Sequence, residues 1–282
     1  LLVLGGALAL VVGLAVGGGA EPLVLVDPGV AVRYGLPIAK ALVNLGAALA
    51  VGSLLVAAFA LSNRSASFDT ALLVAAVGGA LWTLAAGVTA FLTFLAVYLE
   101  PVSASQQFGD LLWLFMTQTD VGLAWLITLG MAAIVTVLAL IVRSFALVGV
   151  TGVIAVFALW PMAEQGHAAG AANHGLAVSS SFVHAVFAAF WIGGLVTMAV
   201  IVWANRPAAK EFATILTRYS TIALVSFVAV AASGVANAVL RIGSVEGLVS
   251  GYGVLVIAKA GALTVLGLFG ASYRRSLVGK LS

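Results

Sequence analysis

Apolar residues run along this chain in long unbroken stretches, parted by short polar segments. The stretches lie near residues 1–19, 37–61, 71–98, 120–142, 145–163, 175–203, 214–240 and 253–273. Roughly 20 apolar residues suffice to cross a bilayer as a helix, so each stretch is predicted to be a span. The runs are continuous rather than alternating, which argues against a barrel. Several exceed the minimum length and are expected to tilt or to protrude as helix ends. The predicted fold is an all-α polytopic transmembrane helical bundle of about eight spans, forming one transmembrane domain over residues 1–282. One connecting segment, 99–119, has its own character. Phe108, Leu111, Leu112, Trp113 and Phe115 cluster between polar residues there. That pattern predicts a short helix lying at the membrane interface, with Trp113 at headgroup level.

Composition agrees with this reading. Hydrophobic residues make up 63% of the chain and charged residues 7%, against about 25% charged in soluble domains. So few polar side chains cannot cover a water-soluble core, whereas lipid solvates apolar side chains directly. The 32 glycines suit close helix packing. The chain has no cysteine, which excludes disulfides, thiolate metal sites and thiol redox chemistry. A net charge of +3 is too small to suggest nucleic acid as a partner. No phosphate-cradling loop of the Walker type is present, no nucleophile–base–acid triad is marked by a motif, and no enzymatic activity is expected. The first apolar run has no basic residue before it and no clear small-residue cleavage site. It is therefore read as a span.

The basic residues are distributed unevenly across the span ends. Arg64, Arg143, Arg206, Lys210, Arg218, Arg274, Arg275 and Lys280 all fall on one side if the spans alternate. Arg33 and Arg241 fall on the other. The positive-inside rule then predicts cytoplasmic termini and outward loops at 20–36, 99–119, 164–174 and 241–252.

Candidate chemistry gathers in one place. His167, His174 and His184 are the chain's three histidines, and all lie in the stretch from Glu164 to Gly194. His167 and His174 fall in a predicted outward loop. His184 falls about eight residues inside span six, roughly 12 Å along the helix. An ionisable residue within a span is expensive and marks a candidate functional site. It either binds a ligand or hydrogen-bonds a neighbouring helix. Neutral imidazole suits copper, and thioethers suit its cuprous form. Met162 precedes the loop and Met116 lies on the same predicted side, so a His/Met cluster at the outer mouth of the bundle is a candidate metal site. Trp191 follows His184 by seven residues, two turns along one face, and Gly193 and Gly194 allow close backbone approach. Lys40 and Lys259 lie near outer span ends, where their stems can snorkel. Asp120 after Thr119 suits a helix N-terminus. Asn44 and Asn237 are expected to bond between helices.

These residues resemble the CopD family of bacterial copper-resistance membrane proteins. The resembling motifs are Gly166-His167-Ala168, then His184, then Trp191-Ile192-Gly193-Gly194. Ser233-Gly234, Tyr252-Gly253, Lys259 and Gly270-Ala271 before Arg274-Arg275 extend the resemblance, which covers roughly residues 110–280. Residues 1–110 form N-terminal helices that match in hydropathy. Family members often carry an acid three residues before the helix histidine, where this chain has Ser181. His174 has no counterpart in the pattern. The resemblance implies copper ion as the species handled, at the bacterial cytoplasmic membrane, by transport or delivery through the His/Met site. It also implies a periplasmic copper donor. Actinobacterial relatives often fuse this domain to a CtaG-like module of cytochrome oxidase assembly, which offers such a module as a further partner. A haem- or oxidase-assembly scaffold without transport activity is the alternative.

Overall fold

The computed structural model describes residues 11, 13, 14, 27–63, 65–165, 174–242, 247 and 249–274. Among these residues the secondary structure is helical with no strand, and seven helices are long and apolar enough to cross a membrane. They correspond to seven of the eight expected spans. The run at 1–19 lies largely outside the described residues, as do Arg64, His167 and most of the loop before His174.

We number the helices in chain order. α1 covers Val30–Phe59, α2 Ala66–Tyr98, α3 Gln106–Gln118, α4 Asp120–Ile141 and α5 Phe145–Phe157. α6 is the short Trp160–Glu164, followed by α7, His174–Ala188. A π-helical turn over Ala189–Gly193 joins α7 to α8, Gly194–Asn205. α9 covers Ala209–Ile242 and α10 covers Gly251–Tyr273.

The helix starts follow from short polar side chains. Ser65, Thr119, Ser144 and Ser250 each accept a backbone N–H of the first turn, which satisfies a donor that the helix itself leaves open. Asp120 then stands in the first turn of α4, as expected. Several helices extend past the apolar stretches that announced them. α1 begins seven residues before the expected 37, so that Arg33 and Tyr34 lie in its first turns and Pro37 lies inside the helix. Span five is broken into α5 and α6. Pro161 has no N–H for the Phe157 carbonyl and its ring crowds that carbonyl, so the helix stops at Phe157 and restarts at Trp160.

The core lies where α1, α2 and α4 meet, and α1 also touches α5, the π turn and α8. Trp82, Phe68, Leu54, Val43 and Val135 are fully buried there. α1 and α2 approach closely because Gly46 and Gly78 have no side chains. A Cβ on either would press on the other helix's backbone. Outward residues such as Leu73, Leu84, Val137 and Leu268 stay exposed, as lipid-facing positions must be when no water surrounds them. The interfacial helix is α3. Trp113 is 71% exposed on it, while Phe108 and Phe115 pack on Phe94 of α2. Asn44 is exposed on α1, and neither it nor Asn237 forms the expected interhelical bond among the described residues.

The basic-rich helix ends collect at one end of the bundle. Arg143 pairs with Asp69 at 3.9 Å, Ser67 donates to Glu211 at 3.2 Å, and Arg274 donates to the Ser220 carbonyl at 3.3 Å. α2, α4, α9 and α10 therefore meet at that end, as alternating spans require.

Candidate functional site

α7 and α9 cross as antiparallel neighbours, and His184 stands at their contact. Ser180, one turn earlier on α7, donates to the Ser233 carbonyl at 3.1 Å and fixes the pair's register. The His184 ring faces Gly234, where an added Cβ would meet it at an ordinary van der Waals distance of 3.6 Å. Its Nδ1 lies 3.1 Å from Ser233 Oγ.

The Ser233 hydroxyl decides the tautomer. Its oxygen is 2.6 Å from the Ala229 carbonyl. Two oxygens come that close only with the hydroxyl hydrogen between them. Ser233 has one such hydrogen, so it donates to Ala229 and its oxygen must accept from His184. Nδ1 then carries the imidazole proton, and Nε2 keeps its lone pair. Nε2 forms no side-chain hydrogen bond among the described residues, and the ring also lies within reach of the Val230 carbonyl on α9. The interhelical bond weighed from the sequence is present at one nitrogen, and the other is left free to bind a ligand.

Ser233 itself was visible in sequence only as part of the Ser233-Gly234 pair. No spacing rule connects it to a histidine 49 residues earlier. Ser181, the position suggested by the missing acid, is half-buried and does not bond the ring.

Trp191 lies inside the π turn. Its ring meets Phe227 of α9 edge-on at 5.5 Å, and its carbonyl accepts from the buried Tyr219 hydroxyl. His184 and Trp191 thus both face α9. The wider turn between them is docked on α1. A Cβ on Gly193 would collide with the Ala48 carbonyl, one on Gly194 would strike the Tyr219 ring, and one on Gly52 would meet Gly193 and Gly194. Beside this contact, Ser53 Oγ and Thr197 Oγ1 are 2.7 Å apart and buried. Thr197 donates to the Gly193 carbonyl at 2.7 Å, so Ser53 donates to Thr197. π-helical turns concentrate at functional sites, because the extra residue re-aims side chains and frees backbone groups.

Met162 sits on α6, half-buried against the main core. α6 packs on α7, with the Trp160 ring 5.1 Å from Phe182, two residues before His184. Met116, at the C-terminal end of α3, also packs against the core. Lys259 on α10 is exposed and close enough to interact electrostatically with His184. His174 opens α7, but its side chain lies outside the described residues, as does His167. No group of three or more His, Cys, Asp or Glu side chains is assembled among the described residues. The described donor groups on α6 and α7 are the His184 imidazole, the Met162 thioether and the Glu164 carboxylate, the last accepting from the Trp160 ring N–H at 2.8 Å.

Comparison with known proteins places this architecture. Residues 30–177 match the family described as copper resistance protein D-like, N-terminal domain. Residues 213–282 match copper resistance protein D. The first match begins at α1, so the family pattern includes helices that the motif resemblance did not reach. Ser233, Gly234 and Lys259 fall inside the second match, and Met162, His167 and His174 inside the first. His184, Trp191, Gly193 and Gly194 lie between the two matched segments. No curated protein and no solved structure gives a significant match. With one family segment covering more than half of the chain and the second covering its last spans, this all-α membrane bundle belongs to the CopD family of copper-resistance proteins.

Proposed function

We propose that the chain moves or delivers copper at the bacterial cytoplasmic membrane, with His184 as its ligand within the bundle. The observation that carries this is the fixed tautomer. Ser233 holds Nδ1–H, and Nε2 is presented with its lone pair free, which is the state a metal requires of histidine. Met162 on the adjoining α6, with His167 and His174 on the segment that joins α6 to α7, would offer outer donors to copper arriving from a periplasmic donor. Trp191, Gly193 and Gly194 shape the passage by seating the π turn on α1 and α9. Lys259 sets the charge beside the ring. Because a histidine must be neutral to bind metal, copper occupancy falls as pH falls.

Metal analysis of the purified protein tests this reading. Copper retained after mild purification, with no haem absorbance in the visible spectrum, is the expected result. A haem spectrum would move the protein to the oxidase-assembly reading, in which a CtaG-like module is the natural partner. A copper-free protein that also fails to take up cuprous ion would sink the proposal.

The direction of the scheme rests on orientation. The basic-rich end is proposed to be cytoplasmic and the α6–α7 connection external. A cysteine introduced at Gln165 is expected to react with an impermeant thiol reagent in intact cells, and one introduced at Ala208 is expected to stay unlabelled. The reverse labelling pattern would invert the topology and the route of the metal.

A further inference from the structure

A cleft at the opposite end of α9 from His184 takes no part in the copper reading. It lies between the residues that follow α1, Ala60 and Ser62, and the first turns of α9, where Lys210, Glu211, Thr214 and Arg218 line it. Lys210, Thr214 and Arg218 stand at steps of four along the helix and so share one face. Lys210 and Arg218 are about 12 Å apart along the axis, which leaves Thr214 between them and lets both long side chains converge over it. The Thr214 hydroxyl is tied back to the Lys210 carbonyl at 3.0 Å.

Neither Lys210 nor Arg218 forms an ion pair among the described residues, where the pairs are Arg33–Asp27 and Arg143–Asp69. Glu211, the acid of this cleft, is engaged by the Ser67 hydroxyl. Lys210 also stands in the first turn of a helix, where the macrodipole opposes a cation. An exposed lysine tolerates that position, yet the local arrangement favours an anion held between it and Arg218. The level of the cleft indicates which anion. α1 ends at Phe59 and α9 begins at Ala209, so the cleft lies where the apolar spans stop and lipid phosphates stand.

We propose that the Lys210–Thr214–Arg218 face and the Ala60–Ser62 turn form a binding site for a phosphate-bearing anion, supplied by the headgroup of an anionic phospholipid. Basic pockets between helix ends recognise such headgroups, with each cation contributing about 1 kcal/mol. The site stands apart from His184 and does not depend on the copper reading.

The test uses the full chain purified in nonionic detergent. Short-chain phosphatidylglycerol, phosphatidylcholine of equal chain length and inorganic phosphate are titrated separately, with the thermal midpoint and native mass spectra as readouts. Phosphatidylglycerol is expected to bind and to raise the midpoint, with phosphatidylcholine much weaker. The double variant K210Q/R218Q is expected to bind it roughly 30-fold more weakly. K40Q, near the start of α1 at the other end of the bundle, is expected to match the wild type. Equal stabilisation by inorganic phosphate, lost in the double variant, would support the anion site and make free phosphate its source. Binding unchanged in K210Q/R218Q, an equal loss in K40Q, or no binding of either anion by the wild type would overturn the proposal.

Discussion

Replacing His184 with Ala is expected to remove copper from the purified protein while leaving it folded in the membrane. The substitution deletes the Nε2 lone pair and frees Ser233 Oγ, which still donates to the Ala229 carbonyl. No buried donor is orphaned, so the loss falls on binding rather than on stability. Ser233→Ala is expected to give a graded version of the same defect. It leaves both His184 nitrogens present but removes the acceptor that fixes the Nδ1–H tautomer. Loss of such an outer partner typically costs 10–100-fold in metal affinity. Ser181→Ala, which removes a hydroxyl that does not touch the ring, is expected to do little. Copper per protein and cuprous-ion titration read all three, with the elution profile as the check on folding. Normal copper content in His184→Ala would remove the residue from the site. Equal defects in Ser181→Ala and Ser233→Ala would remove the tautomer argument.

The ranking His184 over His174 follows from the cost of position. A ring inside a span is kept only with a partner or a purpose. The structure gives His184 both a partner at one nitrogen and a vacant donor at the other. His174 stands at the start of α7 rather than inside the span, where a polar ring costs little to keep.

What the sequence made legible was whatever depends on one stretch of chain at a time. Apolar runs located seven spans, with starts up to seven residues late, and Thr119 and Asp120 located the start of α4. The aromatic cluster of 99–119 located the interfacial helix. Errors came where local chemistry overrode hydropathy. Pro161 breaks a span whose apolar run is continuous, whereas α1 starts before Arg33 and carries Pro37 inside it. The site was half legible for the same reason. His184 stood out because its polarity is anomalous within its own helix. Ser233 is one of many span hydroxyls, and only the crossing of α7 on α9 gives it a role. The π turn left no mark in the composition of Ala189–Gly193 beyond the paired glycines that follow Trp191. Those glycines had been read as permitting close approach, and α1 is the helix that approaches.

That approach supports the last expectation, that Gly193→Ala destabilises the bundle far more than the size of one methyl suggests. The Cβ would overlap the Ala48 carbonyl and crowd the Gly52 Cα. These are backbone atoms of a helix held on its other face by α2, so no rotamer change relieves the clash. α1 must move away from the π turn. Moving it would part Ser53 from Thr197 at 2.7 Å, a hydrogen bond buried where water cannot replace it. Overpacking alone costs about 1–3 kcal/mol, and an unmade buried hydrogen bond adds about 1–3 kcal/mol. A combined loss of about 2–6 kcal/mol is a large share of a domain's stability, and a sharp fall in the thermal midpoint and in monodisperse yield is expected. Gly130→Ala in α4 and Gly149→Ala in α5 supply the comparison, because a Cβ at either meets nothing within 4 Å. Both are expected to be neutral or slightly stabilising, since alanine is the better helix former by about 1 kcal/mol. The measurement is the midpoint of detergent-solubilised protein for the three variants side by side. A Gly193→Ala protein that melts with the other two would mean that α1 does not lie against the π turn, and the role proposed for Trp191, Gly193 and Gly194 would fall with it.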